Sequence, residues 1–184
     1  MRGEEMELKR KSTLQKKGDA AEIRLKSKTA STVHAKLTWK QAVDLDLHAF
    51  YTTKSGQFGH IYFGNKGDAN KEPHIALDQD AGVGNRAGDN EENIRIGNLD
   101  RLSSVLIATN IFRFFGFLSK GECFAKYDGK VIVETDTGDS IEVPLTSEER
   151  GRWCLIAKID NTGAAPQVIN INAVQKDEPG KHDV

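Results

Sequence analysis

Apolar residues in this chain fall mostly in short runs that alternate with polar ones. That is the period of a half-buried strand rather than the three-and-four spacing of an amphipathic helix. Thr32–Trp39 sets the pattern: Val33, Ala35, Leu37 and Trp39 share one face, and His34, Lys36 and Thr38 the other. The same reading predicts strands over Glu22–Ser27, Val43–Tyr51, Phe58–Phe63, Asn93–Ile96, Ser104–Phe112, Glu122–Tyr127, Lys130–Thr135, Ser140–Val143, Trp153–Ile159 and Gln167–Val174. Turn formers separate them at Ser55-Gly56, Asp128-Gly129, Thr137-Gly138-Asp139 and Asn161-Thr162-Gly163. Lys130–Thr135 and Ser140–Val143 read as a hairpin around Asp136–Asp139. Short helical turns are expected only at Leu99–Ser103 and Thr146–Gly151.

Many short strands with regular turns indicate an all-β sandwich or barrel; a two-sheet antiparallel β-sandwich is the expected fold. The 184 residues fit one domain with short extensions. The expected division is a basic, flexible segment over 1–18, the sandwich over 19–175 and a polar, frayed tail over 176–184.

Charge changes the picture only locally. The net charge is −1, but residues 1–40 carry eleven Lys and Arg against five Asp and Glu, a charge of +6, and the remainder carries −7. The basic segment, with Lys9-Arg10-Lys11 and Lys16-Lys17, lies among glutamates and lacks the interleaved aromatics of a stacking platform, so no nucleic-acid partner is expected. No stretch approaches the roughly 20 apolar residues that span a bilayer, and the first residues have no apolar signal core. Cys123 and Cys154 each sit in an apolar run, which fits buried free thiols in a reducing compartment; a cytoplasmic location is expected.

The candidate chemistry lies in the stretch LDQDAGVGNRAGDNEEN, where Asp78, Asp80, Asp89, Glu91 and Glu92 face one positive charge, Arg86. Five carboxylates so close repel one another unless a cation neutralises them. Gly82, Gly84 and Gly88 let the chain fold back so that oxygens converge. Oxygen donors without His or Cys select calcium or magnesium, and a flexible loop with many oxygens suits calcium. The alternative is a solvated acidic loop. The spacing excludes an EF-hand: counted from Asp78, the turn glycine would be Val83 and the bidentate glutamate Asp89. A second carboxylate pair stands in Val43–Ala49, where Asp44, Asp46 and His48 share the strand face opposite Val43, Leu45, Leu47 and Ala49. That face reads either as ligand-bearing or as the wet side of a sheet. His48, His60 and His74 have no HExxH or similar spacing, and no enzyme activity is expected. Phe112, Phe114, Phe115 and Phe117 exceed what one strand face buries, so Arg113–Leu118 either meets a partner or the calcium end, or leaves the core at Gly116.

Taken together and in order, these segments resemble the TerD family of tellurite-resistance and stress-response proteins. The likeness spans most of Leu14–Val174. Its pieces are Leu14-Gln15-Lys16-Lys17-Gly18, Asp44-Leu45-Asp46-Leu47, Tyr62-Phe63-Gly64-Asn65, the loop from Asp80 to Glu91, and Ile94-Arg95-Ile96-Gly97-Asn98-Leu99. The resemblance implies a β-sandwich that binds Ca2+ through loops at one end, without catalysis, in a tellurite, oxidative or phage stress response. It implies as partners other stress-operon proteins or the inner membrane surface. It assigns Asp44 and Asp46 to the family's aspartate pair and Asp80, Gly84, Gly88, Asp89 and Glu91 to its loop; Asp78 and Asn90 complete the candidate ligand set. The family's Asp-Asn-x-Thr-Gly stands here as Asp80-Ala81-Gly82-Val83-Gly84, and its Gly-Asp-Asp-Glu as Gly88-Asp89-Asn90-Glu91. Those changes remove side-chain oxygens and one charge and imply a weaker or single-ion site. A C2-like module, in which calcium bridges the protein to acidic lipid or another protein, is the alternative.

Overall fold

The computed structural model describes residues 9–79, 87–111 and 122–184. Its strands are β1 (Lys11–Thr13), β2 (Ala20–Glu22), β3 (Val33–Trp39), β4 (Leu45–Thr53), β5 (Phe58–Ile61), β6 (Ile75–Gln79) and β7 (Asn90–Ile96). There follow β8 (Leu102–Ile111), β9 (Glu122–Cys123), β10 (Lys130–Thr135), β11 (Ser140–Pro144), β12 (Arg150–Gly151), β13 (Trp153–Asp160) and β14 (Gln167–Gln175). They form two six-stranded sheets, β1-β11-β10-β3-β7-β6 and β2-β14-β13-β8-β4-β5, with β12 and β9 as a short separate pair. Pairing is antiparallel throughout except between β1 and β11. The two-sheet sandwich is the fold the alternation predicts.

The main core is the apolar set from both inner faces. Val33, Ala35 and Leu37 of β3, Ile94 and Ile96 of β7, and Val131 and Val133 of β10 pack with Leu45, Leu47 and Ala49 of β4 and Val105 and Ile107 of β8. The register slips between Leu155 and Ala157 of β13. That irregularity lets Cys154, Ile156, Ala157 and Ile159 all join the main core, whereas Trp153 and Leu155 belong to a second cluster with Phe50, Leu106 and Ala108.

Several local expectations give way to tertiary contacts. Residues 122–127 form only the two-residue β9 and then a 3-10 turn, Phe124–Tyr127, which buries Phe124 and Tyr127. Their three-residue separation puts both on one side of a 3-10 turn. Residues 146–149 are not helical: the Thr146 N–H donates to Asn172 Oδ1 at 3.0 Å, and the chain runs on into β12. Residues 99–101 make a turn closed by Leu102 N–H on the Leu99 carbonyl, and β8 begins at once.

Residues 11–14 and 176–184 also make contacts with the sheets. β1 pairs in parallel with Ser140–Glu142, and Leu14 is buried. Residues 176–184 pack on the second sheet, with a 3-10 turn over Lys181–Asp183. Among the described residues, no helix is long and apolar enough to cross a membrane.

Candidate metal centre at the acidic end of the sandwich

Four chain segments meet one end of the sandwich because of strand direction. β3 ends at Trp39, opposite Asn90 at the start of β7. β4 starts at Leu45, opposite Ile111 at the end of β8. Between β3 and β4 the chain turns tightly, with the Trp39 Nε1–H donating to the Val43 carbonyl at 2.8 Å. The acidic stretch before β7 is anchored to that turn: the Gly88 N–H donates to the Lys40 carbonyl at 2.9 Å, and Asn90 Nδ2 to the Trp39 carbonyl at 3.4 Å. Gly88 adopts φ of 143°, a region that favours glycine. Two acidic segments far apart in sequence thus lie at the same end.

Strand alternation then decides where each carboxylate goes. Asp44 is half-buried just ahead of β4. Asp46 is 7% exposed, and its backbone carbonyl accepts the Thr109 hydroxyl at 2.8 Å. On β7, Glu92 shares the inward face with Ile94 and Ile96, is 2% exposed, and takes the Leu47 N–H on Oε2 at 2.7 Å. Glu91 points the other way, to the outer face of the first sheet, where Lys36 Nζ lies 3.8 Å from it and 3.8 Å from Glu134. Such exposed pairs contribute little stability. Asp89 is exposed at the loop's end, and Asp78 is exposed with Oδ2 accepting Asn93 Nδ2 at 3.0 Å.

Of the candidate ligands, the structure brings Asp44, Asp46, Asp89 and Asn90 to one end, with Asp78 on the neighbouring strand β6 and Glu91 turned outward. Asp80 and Gly84, like Arg113–Leu118, lie outside the described residues. Among the described residues, no group of three or more His, Cys, Asp or Glu is arranged to hold a metal ion. The donor set is nevertheless all oxygen, and it includes one buried carboxylate, that of Asp46, which suits a hard divalent cation. A cleft of about 410 Å³ opens beside it, lined by Trp39, Asp89, Asn90 and Glu91 on one side and Asp128, Gly129 and Lys130 on the other. Sequence reasoning counted Glu92 among the loop's acids but not among the ligand candidates. The signal for it was register: Glu92 is in phase with Ile94 and Ile96, and Glu91 is not.

The strand face that bears Asp46 is not wet. His48 is 2% exposed, its Nδ1 lies 2.8 Å from His60 Nε2, and its Nε2 lies 3.3 Å from Asn110 Oδ1. Burial, reinforced by His60, lowers the His48 pKa to about 3, and burial lowers that of His60 to about 4. Phe50, His60 and Tyr62 stack in a row beside them, with ring centroids 3.9 Å and 4.5 Å apart. His74 lies elsewhere, with its Nδ1 3.2 Å from the Ala69 carbonyl.

Fold and acidic end together define a two-sheet β-sandwich with carboxylates gathered at one end. Among solved structures, the chain is similar to that of SAV2460, a protein of unknown function. The two share 12% identity over 79% of this chain and 92% of that one, with a TM-score of 0.56. At that identity the likeness is one of fold. No family model and no curated protein matches the chain.

Proposed function

We propose that this protein is a noncatalytic calcium-binding module of a stress-response system, as its resemblance to the TerD family implies. The observation that carries the reading is the pair of bonds from Gly88 to Lys40 and from Asn90 to Trp39, which fasten the acidic loop beside the start of β4, where Asp44 and Asp46 stand. Oxygen ligands drawn from two remote segments suit an ion that accepts about six to eight of them in irregular geometry. Asp44, Asp46 and Asp89 would hold the ion, with Glu92 as a further oxygen donor at the same end and Asp80 and Gly84 from the loop. Calcium would supply charge neutralisation and a tie between β4 and the loop. A cytoplasmic site of action, and partners among stress-operon proteins or at the inner membrane surface, belong to the same proposal.

Calorimetric titration of metal-stripped protein tests it. Calcium is expected to bind, and magnesium at least about tenfold more weakly, because the smaller ion demands near-octahedral geometry and dehydrates reluctantly. No heat on calcium addition, or equal affinities for the two ions, would count against calcium as the ligand.

A further inference from the structure

Positive charge gathers along the edge of the sandwich where β1 and β2 lie. β1 is an edge strand of the first sheet and β2 an edge strand of the second, so the stretch between them crosses from one sheet to the other. Lys9, Arg10, Lys11, Lys16 and Lys17 are all exposed there, against the acids Asp19 and Glu22. Exposed Lys26 follows two residues past Arg24, whose guanidinium binds the same Asp139 that accepts the Arg10 N–H. β1 pairs with the start of β11, and the pairings of β11, β10 and β3 set residues 9–11 at the opposite end of the first sheet from Trp39 and Asn90. The basic edge is therefore separate from the acidic end.

The molecule does not neutralise this edge itself. The carboxylates nearest β1 already have other partners: Asp139 pairs with Arg24, Glu142 with Lys130 at 2.9 Å, and Glu134 lies 3.8 Å from Lys36. Among the described residues, none of the six cations on this edge makes an ion pair. Their backbone is nonetheless ordered. Residues 11–13 pair with β11, and the Gly18 N–H donates to the Asn170 carbonyl at 2.8 Å. The turn that shows Lys16 and Lys17 is closed by the Asp19 N–H on the Lys16 carbonyl and by the Lys16 N–H on Asp19 Oδ2, both at 2.9 Å. Like charges held close together repel, and a polyanion outside the chain relieves that repulsion. Because the backbone is already fixed, docking costs little further ordering.

We infer that this edge docks on an anionic lipid bilayer, away from the candidate metal centre and without calcium. The chemistry of the edge selects that partner. All of the six cations but Arg10 are lysines, compact point charges on flexible stems, which suit a diffuse layer of headgroups; bidentate recognition of a single phosphate favours arginine. No exposed aromatic stands among them. Among the described residues the exposed large apolar side chains are Phe58 and Phe63, and Phe58 lies on β5, the other edge of the second sheet. A site for single-stranded nucleic acid would pair its charges with stacking rings. Clusters of about four to eight Lys and Arg hold a protein at an anionic leaflet, each residue adding to the attraction.

The test is sedimentation of the full chain, in EDTA, with vesicles of phosphatidylcholine alone or with about 30% phosphatidylserine. The parent should sediment with the anionic vesicles and not with the neutral ones. Raising salt from about 0.1 M to about 1 M should release it, as the screening length falls from about 10 Å to about 3 Å. K16E/K17E should weaken binding at least about thirtyfold, whereas K16R/K17R, which keeps both charges, should bind like the parent. Circular dichroism confirms that the variants fold, and calcium calorimetry on them should match the parent, which separates this proposal from the calcium reading. The proposal is overturned if the parent ignores the anionic vesicles or binds the neutral ones as well. It is also overturned if K16E/K17E binds undiminished or K16R/K17R loses binding. Duplex DNA of equal total charge that strips the parent from the vesicles would assign the edge to nucleic acid and overturn it too.

Discussion

Glu92 of β7 reaches across the sandwich to Leu47 of β4, its Oε2 taking the backbone N–H at 2.7 Å. Leu47 lies beyond Ala49, which pairs with the last residue of β5, so among the described residues no residue of β5 takes its N–H. A buried amide there needs an acceptor, and the carboxylate supplies one while tying the sheets together at their acidic end.

Replacing Glu92 by Ala is expected to leave that amide unsatisfied and to cost about 1–3 kcal/mol of stability in metal-free buffer. Glu92→Gln keeps an acceptor and should cost less. Urea unfolding of the three proteins measures this; equal losses for Ala and Gln would show that the hydrogen bond is not the source.

A second tie holds the amino-terminal strand. Asp139 accepts Arg24 Nε at 2.9 Å and the N–H groups of Arg10 and Arg24 at 3.2 and 3.4 Å. The Arg24 hydrogen bond, aided by those amides, lowers the Asp139 pKa from 3.8 to about 2. A folded-state pKa below the unfolded one means that the stabilisation is complete above pH 3.8 and is lost as pH falls through about 2. Asp139→Asn should therefore lower the melting temperature at neutral pH but show a smaller further loss between pH 4 and 2. An unchanged acid response in the variant would assign that response to other groups.

The alternation along β3, β4, β8 and β13 made the sandwich legible, because burying one strand face is a local property of sequence. What escaped was set by partners remote in sequence. β1 is a strand because Ser140–Glu142 offers an edge, and β6 looked like the start of the acidic loop because it is short and its pairing slips at Asp78. In the candidate site, the aspartate pair was legible as Asp44 and Asp46 on one face. That this face is covered by an aromatic row, with Val184 packed on the cluster around Phe50, was not, because nothing within β4 encodes its cover. The choice of Glu92 over Glu91 as the inward acid depended on the register of β7, which the run of adjacent polar residues obscured.

Acid sensitivity at milder pH should come from His48. Its folded-state pKa of about 3 lies below the ordinary 6.5, since burial and the neighbouring His60 disfavour its charged form. The unfolded chain then takes up a proton that the folded chain refuses. Stability is complete above pH 6.5 and falls as pH drops toward 3, by about 1.4 kcal/mol per pH unit for one such group. His48→Gln keeps hydrogen-bonding capacity without titrating, so its stability should be flatter between pH 6 and 4 in chemical denaturation. An identical slope in the variant would clear His48.

The two thiols should differ in reactivity. Cys154 is fully buried, and burial pushes its thiol up to about 12, whereas Cys123 is only half-buried. The thiolate is the reactive form. A thiol-reactive dye at neutral pH should label one site in native protein and both after unfolding, and Cys123→Ser should abolish the native reaction.

The strongest test of the calcium proposal couples the ion to stability. If Asp44 and Asp46 at β4 and Asp89 in the loop hold one ion, calcium binds the folded chain and not the unfolded one, since only folding brings these segments together. An ion at about 100 times its dissociation constant then adds about 2.7 kcal/mol by mass action, enough to raise the melting temperature by several degrees. The double variant Asp44→Asn with Asp89→Asn removes one charge from each segment, and it should lose that rise while keeping the β signal. Lowering the pH should weaken the response in the parent as well, because protonated carboxylates are poor ligands. The measurement is a thermal melt of metal-stripped protein with and without calcium. A parent whose melt ignores calcium, or a double variant stabilised as much as the parent, would rule out a shared site between strand and loop.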